Sequence, residues 1–444
     1  MVVNSTQDAT DRSTLKEAIF SGLPYNGGLF QPSPHPNLKN IITSLSNDNS
    51  FTDIASIMIY ELLSSELGET TRDEKIMASK NLAESAFPFE PKLSTITKNI
   101  TLLELFHGPT CAFKDFGASF LATLIEYFQQ LESSISHQRK IVIAATSGDT
   151  GGAVASAFWK RNGINTILLY PSGRISNLQE RQLTSLGGNI HALEVDGSFD
   201  YCQKLVKSIL SDENFTETNQ ICPANSISLG RLIPQTFYYI FAWLKLQSNT
   251  APVFSVPSGN FGNLTAGMYA QRWGLPVSSW IAATNNNDII PQYLNSGKFN
   301  PQPSIRTLSN AMDVGNPSNF ERILALFDHN HETIKCFLHG YSITDKETLL
   351  TMKSVYDESG YLMDPHTAVG VAAAQKFHAN CSKQNIPTII LSTAHPAKFP
   401  EIVEKATGKN PTLPKSLEDL LHLPKKSIRI KSLTELQEFI MQFL

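Results

Sequence analysis

The chain has no excess of positive charge, no long apolar run and no paired-cysteine motif, and each absence closes off a class of function. Its 444 residues include 36 Lys or Arg against 40 Asp or Glu, a formal net charge of −4, so there is no basic field to hold nucleic acid. No apolar stretch approaches the ~20 residues that a membrane-spanning helix needs. The opening MVVNSTQDATDRSTL is too polar for a signal peptide; a cytoplasmic protein with no nucleic-acid partner and no membrane partner is expected. The five cysteines, Cys111, Cys202, Cys222, Cys336 and Cys381, are odd in number, scattered and without a C-x-x-C pair, which argues against a disulfide framework and a zinc site. The run around His329, His331 and Glu332 reads as a solvated helix face, so no metal is expected. There is no G-x-G-x-x-G after the first strand and no G-x-x-x-x-G-K followed by Ser or Thr, which weakens a nucleotide-binding reading. No repeat of short period marks a solenoid.

What is present is a change of texture near residue 100. Before it, the pattern is mixed and mostly helical, with a turn-rich patch at GLPYNGGLFQPSPHPN. After it, short β-branched runs alternate with amphipathic segments. KIVIAATSGD, TILLYPSG, IHALEVDG, PVFSVPSGN, SWIAATNNN and PTIILSTAHP each read as a buried parallel strand followed by a loop, and helical patterns follow most of them. Strand, loop and helix repeated in this way predict an α/β protein with helices on both faces of mostly parallel sheets. The polar stretch DENFTETNQICPAN reads as a crossing between two such series.

Ligands of open α/β sheets sit beyond the carboxyl ends of the strands, which directs attention to the loops there. Ser147-Gly148-Asp149-Thr150 and Gly259-Asn260-Phe261-Gly262-Asn263 set small residues directly before helices, where backbone N–H groups face an anion. Taken singly, each also reads as a tight turn that glycine permits. In HGPTCAFKDF, Lys114 lies between Phe113 and Phe116 just past a Gly-Pro break. Desolvation there would lower its pKa and free the amine as a nucleophile, while a snorkelling surface lysine explains the same segment. Asn225, Ser226 and Arg231 offer an amide, a hydroxyl and a guanidinium suited to phosphate, or else a helix N-cap and a surface arginine. A desolvated lysine with two anion cradles is the equipment that a pyridoxal phosphate site needs.

ELFHGPTCAFKDFGASF, ATSGDTGGAVASAF, LYPSGRISNLQERQL, SVPSGNFGNLTAG, AATNNND, LSNAMDVGNPSN and STAHPAKFP resemble, in order, the motifs of the threonine synthase family, in the branch found in many bacteria and fungi. The resemblance implies a fold-type-II pyridoxal phosphate enzyme, tryptophan synthase beta-like, with doubly wound parallel sheets and an extra N-terminal subdomain. It implies conversion of O-phospho-L-homoserine and water to L-threonine and phosphate. By the same resemblance, Lys114 carries the cofactor and acts as general base, Gly259, Asn260, Phe261, Gly262 and Asn263 hold the cofactor phosphate, and Thr393 faces the pyridine nitrogen. Ser147, Gly148 and Thr150 are expected at the substrate carboxylate, and Asn225, Ser226 and Arg231 at the substrate phosphate. Asp149 stands where many relatives of the fold carry Asn near the cofactor's phenolic oxygen; a lone carboxylate there would be repulsive, and its partner is not evident from the sequence. The implied units are 1–98, N-terminal and mainly helical; 99–135 with 235–400, the large cofactor-binding domain; 136–234, a smaller mobile domain; and 401–444, a tail. A monomer or a homodimer fits. The alternative outcome on the same cofactor is a phospho-lyase releasing 2-oxobutyrate, ammonia and phosphate. A serine or threonine dehydratase has no use for a second anion site, and a non-catalytic protein of this fold would have lost Lys114.

Overall fold

The computed structural model describes residues 1–68, 70–132, 140–146, 148–380 and 386–443; Ser147 and Cys381 lie outside them. The first three strands, β1 (Val2–Ser5), β2 (Arg12–Thr14) and β3 (Phe30–Pro32), form a small antiparallel sheet, so the N-terminal part is not helical alone. A hairpin follows, β4 (Lys92–Thr97) and β5 (Ile100–Glu104). Next come β6 (Lys140–Ala145), β7 (Ile164–Pro171), β8 (Ile190–Val195) and β9 (Ile221–Pro223). The remaining strands are β10 (Val253–Pro257), β11 (Ser279–Thr284), β12 (Leu338–Ser342), β13 (Thr388–Ser392) and β14 (Ile428–Ile430).

These strands build two larger sheets. One has the order β12-β11-β10-β13-β5-β4 and is parallel except for the β4–β5 pair at its edge. The other, β14-β8-β7-β6-β9, is parallel throughout. All of β7 is buried, because helices cover both faces of its sheet and leave no polar side to alternate with. Helices Phe199–Leu210 and Leu433–Met441 cover one face of the smaller sheet, and helix Asp149–Phe158 the other. The tail therefore belongs to the smaller sheet, supplying both its edge strand β14 and a covering helix. The polar stretch expected as a crossing instead folds as helix Glu213–Thr218 and β9, and the chain leaves the smaller sheet only after Pro223.

Between the sheets lies an aromatic knot. Helices Phe51–Leu63, Lys114–Glu132 and Gln235–Leu246 bring Phe51, Phe116 and Tyr238 together, with Phe116 edge-on to Phe51 at 5.2 Å and to Tyr238 at 5.5 Å. Edge-to-face aromatic packing adds to plain burial. The knot locks the helix that begins at Lys114 against the N-terminal helices, which fixes where that lysine starts. Truncating Phe116 to Ala should cost about 3–5 kcal/mol, read as a lower midpoint of denaturant unfolding in the otherwise unchanged protein.

Candidate active site

Lys114 is the first residue of its helix, at the end of a loop stitched to the chain beyond β13. The N–H of Phe113 donates to the Thr393 carbonyl at 2.9 Å, and that of His395 donates to the Cys111 carbonyl at 3.0 Å. Only one of the two flanking rings meets the lysine: its Nζ lies 4.6 Å from the centre of Phe113, while Phe116 turns into the aromatic knot. Phe113 precedes the helix, whereas Phe116 stands two residues past Lys114 on it and so points in another direction, which is why the two rings do not sandwich the lysine. The Lys114 side chain is 16% exposed, and burial pulls its pKa below the usual value against the opposing pull of the Asp149 carboxylate. It is thus not a snorkelling surface lysine.

Asp149 opens helix Asp149–Phe158, after Gly148 at φ 142°, where a Cβ would fall 2.5 Å from the Gln179 side chain. One carboxylate oxygen of Asp149 lies 2.7 Å from Lys398 Nζ and the other 3.7 Å from Lys114 Nζ. Gln179 donates from Nε2 to the first oxygen at 3.1 Å. Burial would raise the carboxyl pKa, but the Lys398 and Lys114 charges and these hydrogen bonds hold it well below the usual carboxylate range, so Asp149 is ionised. Lys398, 1% exposed, is the partner that the sequence did not disclose. The same loop spends part of its anion-binding capacity on itself, because Thr146 Oγ1 accepts from the Gly148 and Gly151 N–H groups at 3.0 and 2.8 Å.

The second glycine loop keeps more of that capacity. Phe261 adopts a left-handed conformation (φ 62°) and buries its ring against Phe320, so it contributes through its backbone. Helix Gly262–Trp273 starts there with no side-chain cap, leaving its first N–H groups available to an anion. Gly259 is pressed against another segment: a Cβ would lie 2.7 Å from Met312 Cα. That segment is held in turn by His366, whose Nε2 accepts from the Ala311 N–H at 3.2 Å and whose Nδ1 meets the buried Asp364 at 2.7 Å. Asn263 accepts from Tyr238 and Tyr239 at 2.6 and 2.7 Å, which leaves its own Nδ2 without a partner.

Asn225, Ser226 and Arg231 arrive from the end of β9. Asn260 Nδ2 donates to Ser226 Oγ at 2.7 Å, so the two expected phosphate loops touch. Arg231 is 3% exposed rather than a surface residue. It donates from Nη1 to the Ala224 carbonyl at 2.9 Å, while its Nε and the Asn225 Oδ1 have no partner among the described residues. Burial pushes the guanidinium pKa down to about 10, which still leaves it charged at neutral pH. Sequence reasoning also missed Arg322, fully buried, which donates to the carbonyls of Phe30 and Ile227 and to Asn319 Oδ1 at 2.8, 2.6 and 2.6 Å. It ties the N-terminal sheet to both loops. Thr393 is buried at the end of β13, and Thr150 is half-buried in the first turn of the helix that Asp149 opens. Ser147 lies outside the described residues; of the others, Lys114 is brought to Asp149, the segment before it to Thr393, and Asn260 to Ser226.

A family model described as pyridoxal-phosphate dependent enzyme matches residues 91–392, and another, described as threonine synthase, C-terminal, matches residues 367–440. Threonine synthase of Serratia marcescens is 38% identical over 446 residues, covering 99% of each chain. The crystal structure of PLP-bound threonine synthase from Brucella melitensis superposes with a TM-score of 0.90 at 33% identity, covering 100% of this chain and 99% of that one. That of threonine synthase from yeast gives a TM-score of 0.89 at 32% identity, covering 99% and 98%. Gly259→Val would drive a side chain into the Met312 backbone and displace the second loop; cofactor affinity should fall about tenfold or more, measured by titrating the apoprotein with pyridoxal phosphate.

Proposed function

The chain belongs to the threonine synthase family, fold-type-II pyridoxal-phosphate enzymes acting as lyases, and from that premise we propose that it converts O-phospho-L-homoserine and water to L-threonine and phosphate. The observation that carries this reading is Arg231, a buried cation whose Nε has no partner among the described residues and whose charge acts on the desolvated Lys114. A burial of that kind is unfavourable unless an anion completes it.

The residues present fit the cofactor. An uncapped helix start behind Gly259-Asn260-Phe261-Gly262-Asn263 suits its phosphate, Lys114 is desolvated enough to bond it, and Thr393 offers a neutral hydroxyl to its ring nitrogen. When bound, pyridoxal phosphate supplies an electron sink for the carbon that bears the substrate amine. Everything else falls to the chain. Lys114, released as a free amine, takes the α-proton as general base, helped by burial that disfavours its charged form. Gly148 and Thr150 receive the substrate carboxylate at the start of helix Asp149–Phe158, and the same role is assigned to Ser147. Asn225, Ser226 and Arg231 hold the substrate phosphate, and the Arg231 charge stabilises it as it departs. Asp149 would help to hold the cofactor's ring, its ion pair with Lys398 offsetting the repulsion that a lone carboxylate would cause there.

We assign the moving part to residues 136–234 together with 401–444, whose β14 and last helix pack on the same sheet, closing against 99–135 and 235–400 so that water is admitted only late; residues 1–98 flank the larger part and give its sheet β4. Among the described residues no helix is long and apolar enough to cross a membrane, and Cys111, Cys202, Cys222 and Cys336 are free thiols, which supports a cytoplasmic place. A monomer or a homodimer is proposed. The purified holoenzyme should release threonine and phosphate in equal amounts from phosphohomoserine, and Lys114→Ala should abolish both. 2-Oxobutyrate as the main product would overturn the reading in favour of the phospho-lyase. Arg231→Met should raise KM for phosphohomoserine by about 10–100-fold, the worth of a charged hydrogen bond, measured by phosphate release at varied substrate.

A further inference from the structure

Two lysines share the buried Asp149 carboxylate, and they share it unequally. Lys398 lies 2.7 Å from one oxygen of Asp149, within hydrogen-bond distance, whereas Lys114 stands 3.7 Å from the other. Lys398 is also held in place more firmly than a long side chain would be by itself. Its Nζ donates to the Thr110 carbonyl at 3.0 Å, which also accepts from Gln182 Nε2 at 3.1 Å. Its backbone N–H donates to the His395 carbonyl at 3.0 Å in the turn Pro396–Lys398, and the His395 ring accepts from the Ala397 N–H at 3.2 Å.

The other charged groups nearby are already engaged or are cations. Lys114 faces Asp149 on helix Asp149–Phe158, Lys398 on the turn after β13, Arg231 on helix Leu229–Leu232 and Asp364 just before helix Pro365–Asn380. Lys398 faces Asp149, Asp115 and the Cys111 thiol. Asp364 accepts from the backbone N–H of His366 at 2.9 Å and meets that residue's ring at 2.7 Å, and it accepts from the Thr367 hydroxyl. Asp115 accepts from the Thr110 N–H and hydroxyl at 2.9 and 2.5 Å. Asp149 is the carboxylate for which both lysines compete.

We propose that Lys398 is a positioning residue of the reaction: by claiming the Asp149 carboxylate, it leaves Lys114 a neutral amine able to accept the substrate's proton. The inference rests on the reading of Lys114 as general base. Without Lys398, the charge of Asp149 would act on Lys114 alone and hold it as an ammonium, which cannot take a proton. With Lys398 in place, Asp149 remains ionised whatever the state of Lys114, and the pair is close to neutral as seen from the amine. Burial of Lys114 works in the same direction, so two independent features favour its free form.

The test reads Lys114 itself. In the full-length apoprotein, acylation of Lys114 by acetic anhydride is followed against pH by peptide mass spectrometry, and kcat is followed against pH in the holoenzyme. Lys398→Met should move the pH of half-maximal Lys114 labelling, and with it the acid limb of kcat, upward by about one to two units, the size expected for an opposite charge at this range. Asp149→Asn should move the labelling midpoint downward, Lys398→Arg should leave it near that of the parent protein, and Lys398→Met with Asp149→Asn should bring it back. A merely structural role for Lys398 would give none of this restoration. If Lys398→Met does not fold, Asp149→Asn decides: an unchanged or raised labelling midpoint overturns the proposal, as does a double variant no closer to the parent than Lys398→Met. Failure of the general-base reading is distinguishable, since it would appear as catalysis surviving in Lys114→Ala while the labelling shifts stand.

Discussion

The Asp149 carboxylate, set between the Nζ atoms of Lys398 and Lys114, is the contact on which the site depends, because it joins the helix after β6 to the turn after β13. Taking such charges out of water is costly, and an ion pair this deep often contributes little net stability. Removing one partner is far worse, since the other is then left charged and unpaired. The arrangement is better understood through what it does to its members. It keeps one carboxylate ionised and one lysine available, near a buried Arg231 whose Nε has no partner among the described residues. A phosphate-bearing cofactor and a phosphate-bearing substrate are the ligands that such a balance accommodates.

The fold serves this by bringing strand ends together from two sheets. Loops after β5, β6, β9, β10 and β13 meet in one place, and each is pinned by groups that lie away from the chemistry. Tyr238 and Tyr239 orient Asn263, His366 and Asp364 hold the segment packed on Gly259, and Arg322 anchors the Ser226 region to the N-terminal sheet. These supports explain why an N-terminal unit remote from the strand ends still matters to them. A site made of glycine loops has little side-chain packing of its own, so its shape is imposed from outside.

Much of this was legible in the sequence. All the runs read as strands from their β-branched residues and turn boundaries are parallel strands, and the glycine loops lie at strand ends as their composition implied. What escaped has physical reasons. β9 is a three-residue strand ending in Pro, β12 (LHGYS) lacks a β-branched run, and β14 follows a basic stretch, so none carried the hydrophobic signal by which strands are recognised. Lys398 and Arg322 were not singled out, because a charge is buried only by tertiary contacts, which no local pattern encodes. The one local hint was the setting of Lys398 between Ala397 and Phe399 within an apolar motif. Phe113 and Phe116 looked equivalent around Lys114 until the helix start separated their faces.

The central claim is that, of two buried lysines on one carboxylate, Lys114 bears the cofactor and Lys398 does not. Borohydride reduction of the holoenzyme, followed by peptide mapping, tests it most directly. One phosphopyridoxyl group on the peptide containing Lys114, with the Lys398 peptide unmodified, is the expected result. The group found on Lys398, or on any other lysine while Lys114 stays free, would contradict it.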